Sequence, residues 1–164
     1  PDTLARRRAS MPDIAIALVV HVLSVLWWIG SLAFITAVFL PLLRRAQLGD
    51  AQAAFRVVEG RFEPQARVAV ILVGLSGIYL LFRLNLWSMF LQARFWWLDA
   101  MALYWLLFML LLFVLGPTGL LRHIMRRGGD ERVRWRRMQR VHLVLLVIAL
   151  VIIAGAVSGS HGFG

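Results

Sequence analysis

Residues 21–30 read HVLSVLWWIG, a histidine near the head of an apolar run that extends from Ile14 to Leu43. About 20 apolar residues suffice to cross a bilayer as a helix, so this run reads as a transmembrane span. Imidazole is a poor fit for hydrocarbon. A histidine in such a run hydrogen-bonds to a neighbouring helix, ligates a metal or haem, or lies shallow enough to reach water.

Three further apolar runs follow, and the four predicted spans cover about 14–43, 64–83, 95–116 and 140–159. The first has too long an apolar part, and no small-residue cleavage site, for a cleavable signal peptide. With 61% hydrophobic and 16% charged residues and a mean hydropathy of +0.79, the composition is that of a membrane protein. The reading is an all-α integral membrane four-helix bundle, one domain over residues 1–164. The chain has no cysteine, which excludes disulfides and thiolate metal sites and leaves His, Met, carboxylate or backbone groups as ligands.

The net charge is +10 and every basic residue is an arginine. Arginines flank the apolar runs and no nucleic-acid module is recognisable, so phospholipid or an acidic subunit surface is the expected counterpart, not nucleic acid. Thirteen arginines fall in the segments joining spans one to two and three to four, against five on the other side. The positive-inside rule then puts both termini outside, in a bacterial inner membrane. Helices three and four are expected to run on as an extended basic cytoplasmic hairpin: "LLRHIMRR", a break at Gly128-Gly129, Asp130 as a cap, then "ERVRWRRMQR" leading into span four. Its Arg132, Arg134, Arg136 and Arg137 are the predicted lipid or partner contacts. In the first connecting segment, "DAQAAFRVVEG" reads as a short surface helix capped by Asp50 and ended by Gly60, with Pro64 in the first turn of span two.

His21, Ser24, Trp28 and Ser31 share one helical stripe, which should face the bundle interior. His161, 19 residues beyond His142, falls at the level of His21, while His142 lies near the opposite face and His123 in the basic hairpin. Asp99 reads as the acidic residue within a span and joins His21 as an outer-site candidate. Trp87, Trp96 and Trp97 suit an interfacial aromatic belt, and Gly74, Gly77, Gly155 and Gly159 suit close helix packing.

"HVLSVLWWIGSLAF", then "LPLLRR" and "RFEPQARVAVILVGLSGIYLLF" resemble the CopD-type copper-resistance membrane domain and the HemJ-type protoporphyrinogen oxidases. The resemblance rests on His21, Trp28 and Gly30 in span one and on Arg61, Phe62, Ser76 and Gly77 at span two. The chain departs from the HemJ type in span three, where "WWLDAMALYW" offers Asp99 and Met101 but no lysine, which counts against protoporphyrinogen oxidation. The resemblance implies copper handling or a b-type haem in a four-helix bundle. The expectation is a haem b site, with copper as the alternative, near the outer face and in a redox or electron-transfer role. His21 and His161 are its candidate ligands, and Ser24, Trp28 and Asp99 its lining. The competing readings are a non-catalytic accessory subunit of a larger membrane complex and, third, copper transport.

Overall fold

The computed structural model describes residues 11–45, 49–119 and 131–160. Among them the chain is all helical, without a strand. Four helices are long and apolar enough to cross a membrane: Pro12–Arg44, Ala51–Arg83, Ala93–Leu115 and Val133–Gly159. The first comprises α1 (Met11–Phe34), a π turn (Ile35–Phe39) and α2 (Leu40–Arg44). The second is α3 (Ala51–Arg83), the third α4 (Trp96–Met109) with a π turn at Leu110–Leu115, and the fourth α5 (Glu131–Ser160).

Successive spans alternate in direction. Phe34 stacks on Phe62, His21 meets Val73 and Ser76, and Asp13 meets Tyr79 and Arg83, so span two retraces span one. Trp105 lies against Gly74 and Arg67 over Phe113, so span three retraces span two. Trp97 lies against Gly159 and Tyr104 donates to Leu145 O at 3.0 Å, so span four retraces span three. This is an up-down-up-down bundle. Its outward faces remain exposed and apolar, as hydrocarbon solvent requires of helices whose backbone groups bond internally.

Two apolar clusters fill the interior. One, around Trp28, Leu32, Val70, Tyr104, Phe108 and Ile152, draws on all four spans. The other gathers Phe39, Leu40, Leu43 and Trp135, with Phe55 beside them, at the arginine-rich end.

The expected break between a surface helix and span two is absent. Asp50 is the cap, its Oδ1 accepting from the N–H groups of Gln52 at 2.9 Å and Ala53 at 3.0 Å, but α3 runs unbroken through Gly60 and Pro64. Ala51, Ala54, Phe55 and Val58 pack on the second cluster, and that burial holds the first turns in line despite the missing proline N–H.

The helix through "ERVRWRRMQR" does continue into span four. Rather than projecting away, it lies along the ends of spans one and two: Trp135 is 4% exposed, its ring centroid 5.2 Å from that of Phe55, and Arg44 donates to Gln139 Oε1. The first arm of the expected hairpin, with His123 and Asp130, lies outside the described residues.

Candidate functional site

His21 stands ten residues, about 15 Å, inside the start of its helix. Its Nδ1 lies 3.2 Å from Val73 O and 3.1 Å from Ser76 Oγ. A carbonyl can only accept, so Nδ1 carries the proton. The Ser76 hydroxyl donates to Leu72 O, which leaves its lone pairs facing the imidazole. The ring reaches this close because residue 77 is glycine: a Cβ there would stand 3.2 Å from His21 Cε1. The Nδ1–H tautomer leaves Nε2 with its lone pair, and Nε2 makes no hydrogen bond among the described residues.

Ser24 and Trp28, on the predicted stripe, are buried, and Ser31 turns its hydroxyl back to Trp27 O at 2.7 Å. The Trp28 ring meets Phe108 edge-on at 4.8 Å between centroids and Tyr104 at 5.6 Å. Its indole nitrogen is buried with no acceptor among the described residues. Such a donor in an apolar interior carries a desolvation cost that an added acceptor would relieve.

Asp99 is engaged locally. Its two carboxylate oxygens accept from the Leu91 N–H at 3.2 and 3.3 Å, in the segment joining spans two and three. Leu91 has φ +62° and is 93% exposed, so the carboxylate holds a backbone conformation that leucine rarely adopts. Nor is Asp99 the only carboxylate within the spans, since the helices outrun the apolar runs and take in Asp13, Glu59 and Glu63. Asp13 Oδ2 accepts from Tyr79 Oη and from the Arg83 guanidinium, each at 2.7 Å, and ties the first turn of span one to the last turns of span two. Glu63 pairs with Arg67 at 2.6 Å, one turn apart on α3. No acidic-basic spacing links Asp13 with Arg83 in the sequence. Glu63 and Arg67 stand four apart, one helical turn, but the expected helix boundary between Gly60 and Pro64 separates them in the sequence.

His142 Nδ1 donates to Met138 O of its own helix at 3.0 Å. His161 and the side chain of Arg132 lie outside the described residues. Arg134 sits over the Trp135 ring at 5.3 Å. Among the described residues no three of His, Cys, Asp and Glu gather as a metal-binding group. Trp87 and Trp96 are exposed at the end carrying residues 84–95, the loop end, and Trp97 lies there against span four.

Compared with models of protein families, with curated proteins and with solved structures, the chain matches none, and what its geometry establishes is a bundle of four helices long and apolar enough to cross a membrane.

Proposed function

We propose that the protein is a membrane redox protein in which His21 would hold a b-type haem, as its resemblance to the CopD and HemJ types implies. One observation carries the reading: Nδ1 of His21 donates to a backbone carbonyl of the neighbouring span, the arrangement that orients a ligating imidazole and leaves Nε2 for iron. The unmet Trp28 N–H supports an additional polar group in the bundle. Haem is preferred to copper on the resemblance and on the aromatic lining of Trp28, Tyr104 and Phe108, with copper as the alternative. Haem would supply one-electron chemistry, with His21 holding it and Ser76 and Val73 fixing the imidazole. His161 is the proposed second ligand. The proposed orientation puts the loop end outside, and the arginines from Arg132 to Arg137 against anionic lipid or an acidic subunit inside.

The second reading, an accessory subunit in which His21 only joins two spans, is favoured by the packing of Trp28, Tyr104 and Phe108, which already occupies the interior beside Ser24. An absorption spectrum separates the two. Protein purified in mild detergent from haem-replete cells should show a Soret and a reduced α band that His21→Ala removes and His142→Ala retains. A wild-type protein without stoichiometric haem, or a His21→Ala protein with an unaltered spectrum, would leave the accessory-subunit reading in place.

A further inference from the structure

At the loop end a cleft of about 410 Å³ opens between the start of span three and the end of span four. Arg94, Trp96 and Trp97 form one wall, and Val151, Ala154 and Ser158 line the span-four side. Arg94 brings the only formal charge among the lining residues. Its guanidinium lies 5.6 Å from the Phe95 ring centroid and forms no ion pair among the described residues. The indole nitrogen of Trp97 is buried without an acceptor among the described residues. The span-four side extends from Val151 to Gly159, about 12 Å of helix, and is apolar below Ser158.

We propose that this cleft retains one anionic phospholipid of the adjoining leaflet. Its phosphate pairs with Arg94 and Ser158, and the upper part of one acyl chain lies along Val151 and Ala154. Charge complementarity selects the occupant. A zwitterionic head would bring a cation toward Arg94 with no carboxylate in the cleft to offset it, whereas a phosphodiester with a neutral head brings only the anion. A second copy of the chain is disfavoured because the Gly155 and Gly159 pair, which could seat a partner helix, is already covered from within. A Cβ on Gly155 would stand 2.6 Å from Trp96 Cζ2, and one on Gly159 2.4 Å from Trp97 Nε1.

Native mass spectrometry of the detergent-purified protein, titrated with dioleoyl phosphatidylglycerol or dioleoyl phosphatidylcholine, tests the proposal. The wild type should retain one phosphatidylglycerol in preference to phosphatidylcholine. Arg94→Gln, at an exposed position, should weaken that retention about fivefold, the contribution of one arginine near a charged head group. Ala154→Phe should also weaken it with Arg94 unchanged, and Arg134→Gln, at the other end of the bundle, should not. Equal retention of the two lipids by the wild type, or wild-type retention by Arg94→Gln, would overturn the proposal. So would a wild-type dimer without bound lipid that Ala154→Phe breaks, which would assign the cleft to a second copy.

Discussion

Replacing Gly74 with alanine tests the packing of spans two and three at its tightest point. The new Cβ would stand 2.4 Å from Trp105 Cζ2, 2.7 Å from Cε2 and 2.8 Å from Nε1. Ordinary carbon contacts begin near 3.5 Å, so the indole must retreat by about 1 Å. The same retreat stretches its hydrogen bond to Val70 O, one turn away on α3, from 2.9 Å to well beyond hydrogen-bonding range. Overpacking costs about 1–3 kcal/mol, and an interhelical hydrogen bond in a bilayer contributes about 0.6 kcal/mol, up to about 1.7. The better helix propensity of alanine returns up to about 1 kcal/mol. The expected net loss is about 1–3 kcal/mol, measured by SDS titration of the detergent-solubilised protein followed by far-UV circular dichroism. In a Trp105→Ala background the ring is gone and Gly74→Ala should be neutral or stabilising, a coupling of at least about 1 kcal/mol. A single variant within about 0.5 kcal/mol of wild type, or an equal loss in both backgrounds, would refute the reasoning.

Three further outcomes are expected. Leu91→Gly should stabilise the segment between spans two and three by up to about 1 kcal/mol, since glycine accepts the positive φ, and Asp99→Ala should speed hydrogen exchange at the Leu91 amide; unchanged exchange there would remove the clamp assigned to Asp99. Trp135→Ala should cost about 3–5 kcal/mol of packing and open the start of α5 to limited proteolysis, so equal protease resistance would count against its anchoring role. Tyr79→Phe and Arg83→Gln should each cause a small, salt-sensitive change in thermal stability, because their contacts with Asp13 are solvent-exposed; a large effect insensitive to salt would show that they act otherwise.

The four helices were legible because a bilayer makes length and apolarity nearly sufficient, and the other structure that satisfies the backbone there, a closed barrel, needs short alternating strands instead of long apolar runs. A boundary is expected at Gly60 and Pro64 because both residues are strong local helix-end signals, and only the cluster around Trp135, more than seventy residues away in the chain, outweighs them. The stripe of Ser24 and Trp28 was readable from periodicity, since a buried face repeats every three to four residues. What met His21 was not. Ser76 entered only through a resemblance and Gly77 also as a small residue suited to close packing, but a serine beside a glycine says nothing of which ring it receives until the spans are placed together. The same holds for Gly74, Gly155 and Gly159: small residues announce a close approach, and the tryptophans that make it lie on another span.

The π turn at Ile35–Phe39, closed by the Leu40 N–H on Ile35 O with the Thr36 hydroxyl on Leu32 O at 2.6 Å, amounts to one residue inserted into an α-helix. On one side of it span one serves the cluster of Trp28 and Leu32, and on the other that of Leu40 and Leu43. Removing one residue elsewhere in the span would rotate everything beyond it by about 100° and turn one of these faces toward lipid. Removing one from within the π turn would instead let the helix relax to ordinary winding with both faces still directed inward. A deletion within Ile35–Phe39 is thus expected to leave the bundle standing where a deletion elsewhere in span one would not.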